Sequence, residues 1–137
     1  MIGLVHIVGD LFHFGHINFL KQCKENCDYL IVGVHSDKDV ESYKRVPILN
    51  IDERCKIITE CKYVDQIIKN CPLILTDEYL NNLGINLFMY ACVDDAENER
   101  YLKNYFNFDI SRINVKRLNY TSNISTSDII NRIKNRY

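Results

Sequence analysis

The sequence predicts an α/β protein in which one domain, over residues 1–137, folds as a Rossmann-like, doubly wound parallel sheet with helices on both faces. Three observations lead to this prediction. Short runs of apolar and β-branched residues alternate with stretches of helical periodicity along the chain. The first strand, helix and strand follow one another within about thirty-five residues, which favours a parallel pair. The length of 137 residues suits a single domain with one hydrophobic core.

The first unit consists of strands at residues 3–8 and 28–35 with a helix between them. Few polar residues interrupt either run, which is typical of strands that are buried on both faces. The intervening helix is predicted by residues that recur at helical spacing, namely Ile17, Leu20, Cys23, Lys24 and Cys27.

The same order continues to the end of the chain. Asn50 and Glu53 form a capping-box pattern, which opens a helix. Thr76 and Gly84 are placed to begin and end another helix. The remaining predicted elements are a strand near 64–68, the helix over 77–83, a strand at 85–91, a helix at 97–107, a strand at 112–118 and a final helix opened by residues 125–128.

The polar segment 36–45 is predicted to be a mobile loop that carries Lys38, Lys44 and Arg45. In doubly wound sheets, ligands bind in the crevice outside the carboxyl ends of the strands. We therefore expect function in the loops that follow strands.

Composition excludes several classes of partner and location. The chain has 17 basic and 18 acidic residues and no basic stripe, which argues against nucleic-acid binding. Its first residues lack the charged and apolar regions of a secretory signal, and no apolar run reaches membrane-spanning length. We expect a cytoplasmic protein without membrane insertion.

Six cysteines are present, but no paired CxxC motif accompanies them. We interpret them as reduced, mostly buried residues that pack as small hydrophobes. A metal site at Cys23 and Cys27, which have helical i, i+4 spacing, is the alternative.

The loop after the first strand, Gly9-Asp10-Leu11-Phe12-His13-Phe14-Gly15-His16, leads directly into the first helix. Two imidazoles three residues apart at a helix N-terminus can both face an anion that the free backbone amides hold. Packed histidines or a metal site with Asp10 are the alternatives, and spacing alone does not decide between them. The sequence contains neither a Walker lysine motif nor GxGxxG, which excludes the usual phosphate loops.

Residues 10–16 resemble the HxGH signature of the nucleotidylyltransferase superfamily, specifically its cytidylyltransferases. Five further segments resemble motifs of that family in the same order, which covers nearly the whole chain. They are Lys44 to Pro47 (similar to the lysine loop), Asp52-Glu53-Arg54 (similar to the ER-containing helix), Tyr63 to Ile68 (similar to RYVDEVV), Asp94-Asp95 (similar to GDD) and Ile124 to Ile130 (similar to the end of RTEGISTSDII).

The resemblance implies an enzyme that joins CTP to a phosphorylated alcohol, with Mg²⁺ carried by the triphosphate and no metal ligands from the protein. It also implies a homodimer. By position, it assigns catalytic roles to His13, His16 and Lys44, and substrate-binding roles to Asp10, Arg54 and Tyr90. It assigns nucleotide-binding roles to Val8, Gly9, Gly15, Asp94, Asp95, Tyr120, Ile124, Ser125 and Thr126.

The chain departs from the family pattern at four positions. Glycines of the family are replaced by Ile7, Val93 and Asn123, and an arginine expected on the triphosphate is replaced by Tyr120. We expect Ile7 to narrow the pocket and Lys116 or Arg117 to replace the missing charge. An adenylyltransferase of the same fold, or a degenerate relative that binds a nucleotide without turnover, is the alternative function.

The acceptor is predicted from residues 71–76, which resemble the APWTLT or APYVTT segment of choline- and ethanolamine-phosphate enzymes. Leu73 stands where the choline enzyme has tryptophan, and recognition of a quaternary ammonium usually needs aromatic faces. This favours ethanolamine phosphate over choline phosphate, although Tyr90 or Tyr120 could supply an aromatic wall. Glycerol 3-phosphate is a further alternative, because the chain is compact.

Overall fold

The computed structural model describes residues 1–121 and 124–137, so Asn123 lies outside the described residues. The strands are β1 (Ile2–Ile7), β2 (Tyr29–His35), β3 (Gln66–Cys71), β4 (Leu75–Thr76), β5 (Leu87–Ala91), β6 (Phe106–Asn107) and β7 (Asn114–Leu118). The helices are α1 (Phe14–Glu25), α2 (Asp37–Tyr43), α3 (Ile51–Thr59), α4 (Asp77–Asn82), α5 (Asp95–Tyr105) and α6 (Thr126–Arg136).

Five parallel strands form the main sheet in the order β3-β2-β1-β5-β7, and β4 pairs with β6 in a separate two-stranded ladder. The chain first adds strands on one side of β1 and then returns to add them on the other side. This reversal leaves a crevice between the carboxyl ends of β1 and β5, where doubly wound sheets bind ligands. The predicted fold class is confirmed.

Two hydrophobic cores lie on the two faces of the sheet, because successive residues of a strand point to opposite faces. Val5 belongs to the core that α1 and α3 cover, with Leu20 and Ile58 from those helices. The neighbouring Leu4 belongs to the other core, which Leu80 of α4 and Tyr101 of α5 cover.

The predicted caps are present at helix starts. Asn50 and Glu53 form the reciprocal capping box of α3, Thr76 accepts from the backbone N–H of Tyr79, and Ser125 caps α6. Such side chains satisfy backbone donors that have no partner within the helix.

Two predicted segments are wrong. The expected mobile loop at 36–45 contains α2, because Ser36 caps a helix whose Val40 is buried. The helix expected to reach residue 107 ends at Tyr105, since the next two residues pair with β4. Among the helices that the structure describes, none has the length and apolar character needed to cross a membrane.

Candidate active site

A cavity of about 240 Å³ opens at the carboxyl end of the sheet. Most of the predicted site residues line it: Val8, Gly9, Asp10, His13, Gly15, His16, Lys44, Tyr120, Ile124, Ser125 and Thr126. Ile7 also lines it, at the position where a narrower pocket was expected. Loops after β1 and β7, the end of α2 and the start of α6 thus meet at one place.

His13 and His16 form the capping box of α1, a role that the sequence analysis did not predict. Nδ1 of His13 accepts a hydrogen bond from the Gly15 N–H at 3.0 Å. Nδ1 of His16 accepts one from the His13 N–H at 3.1 Å. A ring nitrogen that accepts carries no proton, so each imidazole carries its proton on Nε2.

The surroundings of the two rings also favour their neutral forms. Burial, with a smaller contribution from the nearby His13 and Lys44, lowers the pKa of His16 to about 3, against the opposing effect of Asp10. Burial likewise lowers the pKa of His13, although Asp128 opposes this shift. The ring centroids lie 4.0 Å apart, so two Nε2–H donors stand side by side. Within the described chain, Nε2 of His13 is buried without a hydrogen-bond partner.

Tight backbone geometry places these histidines. Gly9 adopts φ +69°, and Leu11 adopts φ 50°, a conformation that costs a non-glycine residue energy and is often found at functional sites. A Cβ on Gly15 would lie 2.8 Å from Cε1 of His13 and 3.3 Å from Cγ2 of Ile124. The His13 ring can therefore fold back over the helix start only because residue 15 is glycine.

Asp10 lines the cavity but its carboxylate is already engaged. It accepts hydrogen bonds from the backbone N–H groups of Ile48 and Leu49, at 2.8 and 2.9 Å. Its backbone carbonyl accepts from the Thr126 hydroxyl at 2.7 Å. These bonds tie the histidine loop to α6 and to the segment before α3. The geometry gives Asp10 a positioning role, and its predicted contact with substrate stays a prediction.

The positive charge of the cavity comes from Lys44 and Arg45. Arg45 was not among the predicted site residues, although its place directly after Lys44 was a usable signal. Its Nη1 donates to the Ser127 hydroxyl at 3.4 Å, and its Nε is buried without a partner among the described residues. The pKa of Lys44 is lowered by partial desolvation and by the like charge of Arg45.

The predicted replacements for the missing arginine lie elsewhere. Lys116 donates to Asn26 at 2.6 Å, and Arg117 donates to Asp95 at 2.9 Å. Neither lines the cavity. Arg45 and Lys44 are the basic residues that line the same cavity as Tyr120.

The start of α6 presents backbone amides to the cavity. The Ser125 hydroxyl accepts from the N–H of Asp128 at 3.1 Å and so caps the helix. The first amides of the helix have no intrahelical partner and carry the positive end of the helix dipole. The Thr126 hydroxyl donates to Asp10, so the backbone of Thr126, and not its side chain, can meet an anion.

The structure does not bring Arg54 to the cavity, which corrects its predicted contact with the incoming phosphate. Its side chain is 0% exposed. It donates to the carbonyls of Leu49 and Val8, at 3.0 and 2.7 Å, and to the Asp37 carboxylate at 2.7 Å. These bonds join the end of β1 to α2 and α3. Arg54 therefore stabilises the backbone around the site without lining the cavity.

Three other predicted residues lie outside the cavity lining. Tyr90 donates to the Asn98 side chain at 2.6 Å within the second core. Asp94 caps α5, and Asp95 pairs with Arg117. The lining also includes His6, Phe19, Ala91, Tyr101, Asn119 and Thr121. The motifs did not indicate these residues, because they lie within strands and helices or next to a motif.

The sequence profile of the family described as cytidylyltransferase-like matches residues 10–132, which include all the residues of the histidine loop from Asp10 onwards. The chain belongs to the cytidylyltransferase-like family. The predicted family is confirmed, and the matched residues supply most of the cavity lining.

Relatives of this cytidylyltransferase-like chain include two curated proteins. It is 40% identical over 82 residues to the ethanolamine-phosphate cytidylyltransferase of Dictyostelium discoideum. This match covers 60% of the chain and 23% of that protein. It is 33% identical over 130 residues to choline-phosphate cytidylyltransferase 2 of Arabidopsis thaliana, which covers 93% of the chain and 43% of that protein. The chain spans less than half the length of these relatives.

A solved structure supports the fold. The lipopolysaccharide core biosynthesis protein of Thermoplasma volcanium superimposes with a TM-score of 0.64 at 22% identity, over 90% of this chain and 98% of that one. At this identity, the similarity supports the architecture alone.

Proposed function

We propose that the chain transfers CMP from CTP to a small phosphorylated alcohol and releases pyrophosphate. The observation that carries this proposal is the histidine capping box, which presents two neutral Nε2–H donors to one cavity. Lys44 and Arg45 line the same cavity, and α6 begins there. This combination suits a polyphosphate, and membership of the cytidylyltransferase-like family supports CTP as its source.

In the proposed reaction, a phosphate oxygen of the acceptor attacks the α-phosphorus of CTP in line. The new phosphorus–oxygen bond forms as the bond to the β-phosphate breaks, and pyrophosphate leaves with the electron pair. No covalent enzyme intermediate is needed. The protein acts by positioning the reactants and by donating hydrogen bonds to oxygens that gain negative charge. His13 and His16 supply these donors, while Lys44 and Arg45 neutralise the leaving group.

Mg²⁺ enters this proposal with the triphosphate. Asp10 provides the one carboxylate among the described residues that line the cavity, and two backbone amides already hold it. Mg²⁺ is commonly bound through substrate phosphates and retained waters. The residues present therefore fit a metal ion that triphosphate oxygens carry, which neutralises charge on the transferring and leaving groups.

Ethanolamine phosphate is the proposed acceptor, with choline phosphate second. Relatives with both names match this chain. Leu73 offers no aromatic face at the position where the resemblance places a tryptophan in the choline enzyme, and quaternary ammonium groups are typically recognised by such faces. A primary ammonium group needs hydrogen-bond acceptors instead.

We also propose that the chain forms a homodimer, that it is located in the cytoplasm and that its product is used in phospholipid synthesis. These three points rest on the resemblance to cytidylyltransferases. The molar mass from light scattering, measured as the protein elutes from a size-exclusion column, tests whether it is a dimer. A mass of one chain at micromolar concentration would contradict it.

The test is pyrophosphate release with CTP or ATP, each paired with ethanolamine phosphate, choline phosphate or glycerol 3-phosphate. We expect release with CTP and ethanolamine phosphate above all other pairs, together with the matching CDP-alcohol. Release with ATP alone would favour the adenylyltransferase alternative. Binding of CTP without release under any pairing would identify a non-catalytic relative and refute the proposal.

Arg45 offers a separate test of how the triphosphate is held. Hydrogen bonds to charged groups contribute about 1.5–3 kcal/mol, so Arg45→Ala should raise the KM for CTP by about tenfold or more. Lys116→Ala is the matched control, since Lys116 lies outside the cavity and its loss should leave the KM unchanged. An unchanged KM in Arg45→Ala with a raised KM in Lys116→Ala would indicate that Lys116 of β7, and not Arg45, replaces the missing arginine.

A further inference from the structure

A small cavity of about 30 Å³ lies beside the active-site cavity. His6 and Tyr101 line both cavities, so the two spaces adjoin. Tyr43 and Lys44 are consecutive at the end of α2, and they line the small and the large cavity respectively. Leu73, which stands where the resemblance places the tryptophan of the choline enzyme, also lines the small cavity. A molecule whose phosphate contacts Lys44 can therefore extend its other end into this space.

The ends of β1 and β2 bring two imidazoles to the small cavity. His6 lies opposite Gly33, and His35 is two residues further along β2, so both side chains point to the same face of the sheet. A Cβ at Gly33 would lie 2.5 Å from Cδ2 of His6, so glycine at this position gives the His6 ring its space. The two ring centroids lie 5.7 Å apart, which allows one small group to contact both rings.

Both imidazoles are buried and neutral. Burial lowers the pKa of His6 to about 3 and that of His35 to about 4. Nε2 of His6 lies 3.0 Å from the Tyr79 hydroxyl, and Nδ1 of His35 lies 2.8 Å from the Tyr43 hydroxyl. Each hydroxyl oxygen can accept a hydrogen bond from the ring N–H. This leaves Nδ1 of His6 and Nε2 of His35 as free hydrogen-bond acceptors.

The other walls of the small cavity suit a cation. Tyr43, Tyr101 and Tyr105 line it, and aromatic faces attract cations. Among the described residues of its lining, none is a lysine or an arginine, so no fixed positive charge opposes a cation there. Protonated imidazoles would oppose one, but the lowered pKa values of both histidines exclude that form near neutral pH.

We propose that the small cavity receives the primary ammonium group of the phosphorylated alcohol, with His6 and His35 as its hydrogen-bond acceptors. This role rests on the proposed transfer of CMP. An ammonium group has only donors, and the two imidazole nitrogens match them while the tyrosine rings stabilise the charge. The phosphate of the same molecule, held by Lys44 in the large cavity, supplies the opposite charge.

The size of the small cavity distinguishes a primary from a quaternary ammonium group. A volume of about 30 Å³ has room for roughly two water-sized groups. An ammonium group is about as large as a water molecule, whereas a trimethylammonium group carries three methyl groups and has no N–H donor. It would leave both imidazole nitrogens without a partner, and unpaired buried acceptors are costly. The cavity should therefore exclude choline phosphate by its volume and by its acceptors.

Calorimetric titration with ethanolamine phosphate and with propyl phosphate tests the role of the imidazoles. Propyl phosphate carries a methyl group in place of the ammonium group. The wild type should bind ethanolamine phosphate about tenfold more tightly, because hydrogen bonds to charged groups are the stronger ones. His35→Leu should lose this preference. His35→Gln is the matched control, since its side-chain oxygen keeps an acceptor near the position of Nε2, and it should retain most of the preference.

Equal affinity for the two ligands in the wild type, including binding of neither, would overturn the proposal, as would a preference retained in His35→Leu. Circular dichroism checks that each variant is folded, and His6→Leu carries the same expectation if His35→Leu is not folded. Calorimetry needs no turnover. A wild type that releases pyrophosphate but lacks the preference would refute the role of the histidines alone. The preference without release would refute the transfer of CMP alone.

Leu75→Ala tests the role of size, because Leu75 is 1% exposed and lines the small cavity. The truncation should raise kcat/KM for choline phosphate relative to ethanolamine phosphate by about tenfold, the order by which a methylene group changes discrimination in a pocket. Leu80→Ala is the matched control, since Leu80 is buried in the same core but does not line the cavity. Tyr105→Leu takes the place of Leu75→Ala if that variant is not folded. An unchanged ratio in the widened variant, or an equal rise in Leu80→Ala, would contradict exclusion by size.

Discussion

Replacing Gly15 with alanine should reduce turnover strongly while leaving the fold almost unchanged. The new Cβ would lie 2.8 Å from Cε1 and 3.0 Å from Nδ1 of His13, whereas ordinary contacts begin at 3.4 Å. The ring must therefore move by roughly half an ångström or more, because real Cβ atoms essentially never approach so closely. That movement breaks the hydrogen bond from the Gly15 N–H to the imidazole.

The two effects on stability nearly cancel. Loss of the capping bond costs about 1 kcal/mol. Alanine in place of glycine within a helix returns up to about 1 kcal/mol. Catalysis has no such compensation, since loss of one preorganised donor lowers kcat by about 10²–10³. Gly15→Ala should thus lower kcat about a hundredfold at an unchanged melting temperature.

The assay is CTP-dependent pyrophosphate release, with thermal unfolding measured on the same samples. Phe14→Ala is the control, because Phe14 is exposed on the same first turn and does not line the cavity. In a His13→Ala background, Gly15→Ala should have little further effect on kcat. Wild-type turnover in Gly15→Ala, or an additive loss in the double variant, would refute the role given to His13.

Three further predictions follow from the same geometry. His16→Ala should lower kcat by orders of magnitude with the fold intact, and near-normal turnover would contradict the proposed donor role. The buried His6 and His35 have lowered pKa values of about 3 and about 4, so they gain protons on unfolding. The free energy of unfolding should therefore fall as the pH drops from about 6.5 to 4. A free energy of unfolding by urea that does not change over this pH range would contradict this prediction. Arg54→Met should destabilise the fold by about 1–3 kcal/mol, because the carbonyls of Leu49 and Val8 lose a hydrogen-bond donor. A loss below about 0.5 kcal/mol would refute its supporting role.

The sequence predicted the parts of the structure that depend on neighbouring residues. Buried strands appear as uninterrupted apolar runs, and the caps at Asn50, Thr76 and Ser125 are local patterns. The histidine loop was placed correctly at the carboxyl end of β1, because its position follows from strand order. Its capping box was missed, since Ser, Thr, Asp and Asn, and not histidine, are the residues expected at an N-cap.

The missed features depend on contacts between distant segments. Arg54 is buried because Val8 and Asp37, far away in the chain, supply its acceptors. Helix α2 has a polar surface and a single fully buried residue, Val40, so its periodicity is weak. In the pairing of β2 with β3, Val34 lies opposite Lys69 but His35 lies opposite Cys71, so Asn70 forms a bulge. This bulge arises from the register between two strands, which a single segment does not encode.

A crystal structure with CTP and Mg²⁺ tests the central claim most directly. We expect the triphosphate to lie in the cavity with Nε2 of His13 and of His16 about 2.7–3.2 Å from its oxygens. Both Nδ1 atoms should keep their backbone hydrogen bonds, and Arg45 should contact the terminal phosphates. A triphosphate bound elsewhere, or histidine rings turned so that Nδ1 faces the phosphate, would contradict the claim that this capping box is the catalytic device.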